Sequence, residues 1–283
     1  MEDAITFLKE WTRDGLLPWS AQCAAAKHFG LSRAVVEGLA LENGLFPARY
    51  QRNRNMISTE EQLQLFRSRI AVIGCGGLGG YVIEELARLG VGHIAAIDPD
   101  IFEEHNLNRQ ILSTPATLGK AKVDAALDRV AEINPAVTVT AVKDAFCMAN
   151  GFELLAGVQV AVDALDSISY RLELAEVCTA AGIPMVHGAI GGWYGHVATQ
   201  LPGDTTVQSI YRHWVAGKGI EQQLGNPAFT PAVVASLEVA EVCKILLGKG
   251  ELLRHRKLSI DLLEMEVHEI SYQEVPIELV DAA

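Results

Sequence analysis

The sequence predicts an α/β protein in which a doubly wound, mostly parallel sheet of the Rossmann-like type ends in antiparallel C-terminal strands. Short apolar strands alternate with helices from about Ser68 onward, and a glycine-rich segment joins the first strand to its helix. The first 48 residues show only helical patterns. Alternation of this kind builds βαβ units with helices on both faces of the sheet. We therefore divide the chain into a small N-terminal helical extension, residues 1–48, and an α/β domain, residues 49–283.

The extension is predicted to contain three short helices. Each begins at a residue type that caps helix N-termini, and each is closed by a glycine, which suits the left-handed position after a helix. Pro47 then breaks the helical pattern. The three stretches run from Asp3 to Gly15, from Ser20 to Gly30 and from Ser32 to Gly44.

The α/β domain is predicted from hydrophobic runs and helical periodicity. Residues 202–230 carry Gly, Pro, Asn and Thr without clear periodicity, which predicts a long crossing loop. Parallel strands are predicted at Arg69–Ile73, His93–Ile97, Val137–Val142, Val158–Val162 and Pro184–Val186, with closing strands at Lys257–Leu262 and Glu266–Tyr272. Helices are predicted at Tyr81–Leu89, Leu118–Ile133, Ile168–Ala181 and Pro231–Leu247.

Composition limits the classes of partner. The chain has 283 residues, of which 49% are hydrophobic, and 35 acidic residues against 23 Lys and Arg give a formal net charge of −12. Such a surface repels nucleic-acid backbones unless a local basic patch is present. No apolar stretch reaches the ~18 residues that a membrane span needs. The acidic N-terminus does not resemble a signal peptide, so we expect a cytoplasmic protein.

The five cysteines argue against a structural zinc site. None of them forms a CxxC pair, which is the spacing that zinc sites commonly use. We expect no zinc, and we expect reduced thiols that are mostly buried. The cysteines are Cys23, Cys75, Cys147, Cys178 and Cys243.

A glycine-rich loop between the first strand and the first helix of the α/β domain predicts a nucleotide-binding site. Glycines at this position allow a tight turn, close approach of backbone N–H groups to phosphate, and close helix–strand packing. Asp98 ends the next strand, where a carboxylate usually binds a ribose hydroxyl. The motif by itself does not distinguish NAD from ATP. The glycines concerned are Gly74, Gly76, Gly77 and Gly79.

Basic residues after Asp98 favour ATP. Arg109 follows within a polar Asn-x-x-Arg-Gln cluster that begins at Asn106, and Lys120 and Lys122 come soon after. Cations at this place would stabilise charge that develops at the α-phosphate of ATP and on departing pyrophosphate. A plain NAD-binding oxidoreductase gives these cations no role.

Asp163-Ala164-Leu165-Asp166-Ser167 follows the fourth parallel strand, at the edge of the sheet where ligands bind. Asp166 suits a Mg²⁺ ligand, because Mg²⁺ is usually held by one or two carboxylates together with substrate phosphates. It also suits a helix N-cap, as does Ser167. The residue types alone leave both interpretations open.

Taken in order, these segments resemble the HesA/MoeB/ThiF family, the bacterial relatives of ubiquitin-activating enzymes. The resemblance runs from about Arg49 to Tyr272. It rests on Arg49-Tyr50-Gln51-Arg52, the Gly74–Gly80 loop, Asp98-Pro99-Asp100, Asn106-Leu107-Asn108-Arg109-Gln110, Lys122, and Asp163 to Asp166. It implies an enzyme that uses ATP and Mg²⁺ to adenylate the C-terminal glycine of a ubiquitin-like sulfur-carrier protein ending in Gly-Gly.

The resemblance also implies roles for individual residues. Arg52 would reach the active site of the other subunit, which implies a homodimer with composite sites. The family's usual Asp-Asn is Asp166-Ser167 here. Positions carried over are Gly74, Gly76, Gly77 and Gly79 against the phosphates and adenosine, Asp98 on the ribose, Asn106, Arg109 and Lys122 on the triphosphate, and Asp166 on the magnesium, with Ser167 beside it.

Several alternatives stay open at this point. Because no cysteine lies between Cys178 and Cys243, we expect adenylation without covalent transfer to an enzyme thiol, and we prefer a molybdopterin or tungstopterin carrier. Activation of a thiamine sulfur carrier, or adenylation of a carboxylate on a tRNA base, is the alternative. Residues 24–33 also resemble a helix-turn-helix, so a DNA-binding regulator with a nucleotide-sensing domain is the non-enzyme alternative.

Overall fold

The computed structural model describes residues 1–213 and 224–272. Its N-terminal part contains three helices and a pair of two-residue parallel strands that together enclose a small apolar core around Leu8, Leu17 and Val36. These elements are α1 (Glu2–Trp11), β1 (Leu16–Leu17), α2 (Trp19–Phe29), α3 (Arg33–Glu42) and β2 (Phe46–Pro47).

Two of the three predicted caps in this part are wrong. Ser32 does cap α3, because its side chain accepts a hydrogen bond from the Val35 N–H. However, α1 begins at Glu2, ahead of Asp3, and α2 begins at Trp19, ahead of Ser20. Pro18, which precedes α2 in extended conformation, fixes that start because its ring presets φ for the turn before a helix.

The predicted α/β architecture is confirmed. An eight-stranded sheet has the order β10-β9-β8-β7-β6-β3-β4-β5. Five neighbouring strands, β7, β6, β3, β4 and β5, are parallel to one another, and the C-terminal strands β8, β9 and β10 pair antiparallel. The strands are β3 (Arg69–Ile73), β4 (His93–Ile97), β5 (Thr138–Val142), β6 (Val160–Asp163), β7 (Met185–Gly191), β8 (Tyr194–Gln200), β9 (Arg256–Asp261) and β10 (Glu266–Ser271). The helices are α4 (Thr59–Arg67), α5 (Gly77–Leu89), α6 (Lys122–Ile133), α7 (Gly151–Leu154), α8 (Ile168–Ala181), α9 (Thr206–Tyr211) and α10 (Phe229–Leu247).

Helices cover both faces of the sheet, as predicted. Alternate strand residues point to opposite faces, so Val72 packs with α4, α5, α6 and α10 while Ala71 packs with α7, α8 and α9. Among the described residues, no helix is long and apolar enough to cross a membrane.

Helix α4, strand β8 and the segment 202–230 are among the elements that differ from the prediction. Helix α4 was missed, although Ser58 and Glu61 form a complete capping box at its start. Strand β8 was missed because β7 runs on to Gly191 and turns back through Gly192, whose φ is +58°. The predicted loop at 202–230 contains α9 and the first residues of α10, and residues 214–223 of it lie outside the described part.

A buried polar cluster joins the N-terminal helices to the α/β domain. We call Glu37, Arg49, Tyr50 and Asn134 the docking cluster. The Tyr50 hydroxyl donates to Glu37 Oε1 at 2.7 Å and accepts from Asn134 Nδ2 at 2.7 Å. Arg49 lies 3.6 Å from the Glu37 carboxylate, donates to Asn134 Oδ1, and stacks 4.3 Å from the Trp19 ring centre. The helical extension is therefore anchored on α6 by hydrogen-bonded, buried groups.

The proposed helix-turn-helix residues are occupied by the same interface. Arg33, the single base in residues 33–41, stacks 4.9 Å from the Trp19 ring centre and donates to Cys23 Sγ at 3.2 Å. Glu37 of the same helix is fully buried in the docking cluster. Arg33 and Glu37 of α3 thus make their contacts within the protein and do not present charge to a nucleic acid.

Candidate active site

A cleft of about 350 Å³ lies at the carboxyl ends of β3, β4 and β6. The central strand β3 has β4 on one side and β6 on the other, which makes this edge the switch point where doubly wound sheets bind ligands. The predicted site residues that line it are Gly74, Gly76, Gly77, Asp98, Arg109, Lys122 and Asp166. Gly79, Asn106, Ser167 and Arg52 do not line it.

The glycines of the loop serve two different purposes. Gly74 has φ +95°, and a Cβ there would lie 2.6 Å from the Ala164 carbonyl oxygen. A Cβ on Gly79 would lie 1.8 Å from the Gly74 carbonyl oxygen, so this glycine packs behind the loop. Gly76, by contrast, precedes the first turn of α5 and faces only the Gln110 side chain at 3.5 Å. The backbone at Gly76 and Gly77 is thus open to a ligand at a helix N-terminus, a favourable place for phosphate.

Asp98 shapes the glycine loop from the next strand. Its buried carboxylate accepts the Cys75 N–H at 2.7 Å through Oδ2 and the Asp100 N–H at 2.8 Å through Oδ1. Lys122 Nζ lies 3.8 Å from Asp98 Oδ1 and 2.9 Å from Asp100 Oδ2. Each carboxylate oxygen retains a second lone pair, which a ribose hydroxyl could use.

Arg109 projects from a tight turn that Asn106 holds. Asn106 is buried, its Oδ1 accepts the Glu103 N–H at 2.9 Å, and its carbonyl accepts the N–H groups of Arg109 and Gln110. The Arg109 side chain lies so near the loop that a Cβ built on Gly77 would be 3.8 Å from Arg109 Cγ. Burial lowers the pKa of its guanidinium, and the charge of Asp166 opposes that shift. Asn106 therefore supports the turn from beneath while Arg109 faces the cleft.

Asp166 follows β6 on a short loop and is exposed to the cleft. Ser167 occupies the N-cap position of α8, yet its side chain contacts Ser169 Oγ at 2.8 Å and makes no cap bond. The described residues contain no group of three His, Cys, Asp or Glu side chains that could hold a metal by itself. Asp166 has the chemistry of a Mg²⁺ ligand, because Mg²⁺ is usually held by one or two carboxylates together with phosphate and water oxygens.

A buried polar network that sequence reasoning missed lies behind this loop. Arg171 donates to the Leu165 carbonyl through Nε at 3.0 Å and Nη2 at 2.5 Å, and to the Tyr211 hydroxyl at 2.7 Å. Asp163 Oδ2 lies 2.6 Å from His187 Nδ1. Tyr211 Oη lies 3.1 Å from His187 Nε2. The available signal was Arg171 itself, a cation one turn inside a helix that is otherwise rich in Leu and Ala.

Arg52 lies apart from the cleft of its own chain. It belongs to the 3₁₀ helix Ala48–Asn53 and is exposed. Its predicted contact with a second subunit stays a prediction.

Two of the described cysteines, Cys75 and Cys178, are poor nucleophiles. Cys75 and Cys178 are buried, and burial raises the pKa of the Cys178 thiol to about 12. Burial also raises the pKa of the Cys75 thiol well above its ordinary value. Only the thiolate is reactive, so neither residue suits covalent transfer.

Comparison with known proteins finds a family match and several similar proteins. The sequence model of the ThiF family matches residues 50–276. The SAMP-activating enzyme E1 of Haloferax volcanii is 33% identical over 232 residues, which span 81% of this chain and 86% of that protein. The sulfur carrier protein adenylyltransferase of Thermus thermophilus is 31% identical over 228 residues, 78% of this chain and 84% of that protein. The crystal structure of E. coli MccB with ATP shares the fold, with a TM-score of 0.68 at 21% identity, over 87% of this chain and 79% of that one.

Proposed function

This chain belongs to the ThiF family, and from that premise we propose that it is an adenylyltransferase that activates the C-terminal glycine of a ubiquitin-like sulfur-carrier protein. The observation that carries the proposal is the convergence of Arg109, Lys122 and Asp166 on one cleft beside an open helix N-terminus. Two cations and a metal-binding carboxylate around a phosphate-binding loop suit phosphoryl chemistry on ATP.

The proposed reaction is displacement at the α-phosphorus of ATP. A carboxylate oxygen of the carrier attacks, the bond from the α-phosphorus to the bridging oxygen breaks, and pyrophosphate leaves with that oxygen. The product is an acyl-adenylate. No protein nucleophile takes part, so the chain contributes alignment and charge stabilisation.

Each side chain has a place in that scheme. Asp98 would hold the ribose, Arg109 and Lys122 would bind the phosphates, and Asp166 would hold Mg²⁺. Bound Mg²⁺ supplies positive charge that offsets the phosphate oxygens. The backbone at Gly76 and Gly77 donates N–H groups toward the same charge.

The partner is proposed to be a carrier that ends in Gly-Gly. Two of the relatives are named for activating SAMP and a sulfur carrier, which supports this substrate class. We favour a molybdopterin- or tungstopterin-type carrier over a thiamine-type carrier, because residues 179–242 contain no cysteine. The enzyme would work in the cytoplasm as a homodimer in which Arg52 completes the neighbouring site.

ATP–pyrophosphate exchange with candidate carriers tests the proposal. We expect exchange that requires a carrier and falls by at least about a hundredfold in Asp166→Asn, since the metal loses its negatively charged protein ligand. Asp124→Asn, an exposed acid on α6 outside the cleft, is the matched control and should keep wild-type exchange. Tight ATP binding without exchange for any carrier would contradict carrier adenylation.

A further inference from the structure

We propose that Arg171 is a positioning residue, which fixes the Asp166 carboxylate for Mg²⁺ by clamping the carbonyl of Leu165, with Tyr211 holding Arg171 in turn. This inference rests on the proposed function, because it assigns Asp166 the metal. It concerns a residue that lines the back of the cleft and carries no role in the scheme above.

The position of Asp166 depends on its backbone. Within the described residues, no hydrogen bond holds the Asp166 side chain, and the residue is exposed. Its predecessor Leu165 is held at both amide ends, since its N–H donates to Asp163 Oδ1 at 3.0 Å and its carbonyl accepts two bonds from Arg171. The carbonyl of Leu165 is part of the peptide unit that leads into Asp166. Its orientation therefore sets the direction in which the carboxylate leaves the loop.

The loop has little freedom on its other side. The Ala164 N–H donates to the Ile73 carbonyl at 2.9 Å, and the Ala164 carbonyl packs so closely on Gly74 that a Cβ there would be 2.6 Å away. The glycine loop and the Asp166 loop thus contact each other directly. A shift of the Leu165 carbonyl would move Asp166 relative to the phosphate-binding backbone.

Arg171 is itself held rigidly. It is 4% exposed, and a guanidinium at that depth is stable only when its charge and its N–H groups are satisfied. Asp163 lies 4.0 Å away and supplies the opposite charge. The Tyr211 hydroxyl accepts from Nη1.

Tyr211 connects this clamp to His187. Burial lowers the pKa of His187, so the ring is neutral, and its Nδ1–H donates to the Asp163 carboxylate. Its Nε2 is then an acceptor for the Tyr211 hydroxyl at 3.1 Å. A closed ring of contacts connects Asp163, His187, Tyr211 and Arg171. Through Arg171, this network holds the Leu165 carbonyl. An outer-shell network of this type typically changes metal affinity by about 10–100-fold when it is broken.

Calorimetric titration of ATP, with Mg²⁺ and with EDTA, separates positioning from direct nucleotide contact. We expect Arg171→Gln to lose at least about tenfold of the affinity that Mg²⁺ adds, while its affinity in EDTA stays within about twofold of wild type. Arg171→Lys, which keeps the charge with a single point donor, should lose less. Tyr211→Phe should shift the same quantity in the same direction.

Electron paramagnetic resonance of Mn²⁺ in the presence of ATP gives a second measurement of metal binding, which does not depend on catalytic activity. Arg129→Lys, whose guanidinium pairs with Glu84 away from the cleft, is the matched control and should behave as wild type. An unchanged Mg²⁺ contribution in Arg171→Gln and Tyr211→Phe would overturn the inference, as would an equal loss in EDTA. If Arg171→Gln does not fold, Arg171→Lys and Tyr211→Phe decide it. Wild-type protein that binds ATP no better with Mg²⁺ would overturn the metal role proposed for Asp166 itself.

Discussion

At the residue scale, Gly76 and Gly79 differ in what a methyl group would meet. A Cβ on Gly79 would overlap the Gly74 carbonyl, whereas one on Gly76 makes an ordinary contact with Gln110. We expect Gly79→Ala to lower the melting temperature by several degrees, as overpacking costs about 1–3 kcal/mol. Gly76→Ala should lower the melting temperature less than Gly79→Ala does and should weaken ATP binding, since the methyl group enters the phosphate-binding space. Equal losses of stability in both variants would contradict this assignment.

Glu238 gives a pH-dependent prediction. Its carboxyl is fully buried against Gly188, neither oxygen has a hydrogen-bond partner within the described residues, and burial raises its pKa well above the ordinary value of 4.5. The folded protein therefore keeps a proton that the unfolded chain releases above pH 4.5. The carboxyl's contribution to stability is complete below that pH and is lost as pH rises toward the folded pKa.

Glu238→Gln removes this titration. Relative to wild type, the free energy of unfolding of Glu238→Gln should rise between pH 5 and pH 8. The rise should be about 1.4 kcal/mol for each unit by which the pKa of Glu238 is raised within that window. Urea unfolding at the two pH values measures it. Glu241→Gln is the control, because Glu241 accepts from Thr199 Oγ1 at 2.6 Å and the Leu253 N–H at 2.8 Å, and should lose stability at both. A pH-independent effect of Glu238→Gln would contradict the assignment.

The spacing of the sequence could predict the site residues that follow directly after strands or lie in the loops next to them. Asp98, Arg109, Lys122 and Asp166 face one cleft because parallel strands bring their carboxyl ends together. Arg171 was not predictable by the same argument. Its importance lies in buried hydrogen bonds to groups up to 40 residues away, and no local pattern encodes those.

At the scale of elements, long amphipathic helices and apolar strands were predicted well, and short or paired elements were not. Strand β8 is mostly buried, but it follows a glycine turn and mixes polar with apolar residues, so only its pairing with β7 and β9 defines it. Helix α5 begins at Gly77, ahead of the predicted start at Tyr81. The prediction placed the start too late because glycine has weak helix propensity, whereas the loop geometry requires glycine there.

The docking cluster gives a prediction for the helical extension. Tyr50→Phe removes the hydroxyl that bonds both Glu37 and Asn134, leaving buried polar atoms unsatisfied at a cost of about 1–3 kcal/mol. Urea unfolding measures this loss, and limited proteolysis should cut residues 1–48 faster. Tyr194→Phe, at a tyrosine that is 45% exposed, is the control and should change neither. If residues 1–48 of Tyr50→Phe are cut at the wild-type rate, the docking cluster does not anchor the extension.

At the scale of the whole molecule, the proposed homodimer predicts complementation between two inactive variants. A mixed dimer of Arg52→Ala and Asp166→Ala subunits contains one site with both residues intact, if Arg52 acts across a two-fold interface. Equal mixing after co-refolding should therefore restore about a quarter of wild-type exchange. Each variant alone, refolded in the same way, is the control. No recovery in a mixture that dimerises would place Arg52 outside the neighbouring site.

The docking cluster also bears on how such a chain could have been assembled in evolution. Tyr50 is the first residue of the family match and Arg49 stands just before it, yet their hydrogen bonds and stacking reach back to Trp19 and Glu37 in the N-terminal helices. Arg52 follows two residues after Tyr50. A gene that gained or lost the first 48 residues in one step would leave buried charges exposed beside the segment that carries Arg52. Exchanging the extension between relatives would therefore require exchanging both sides of this interface.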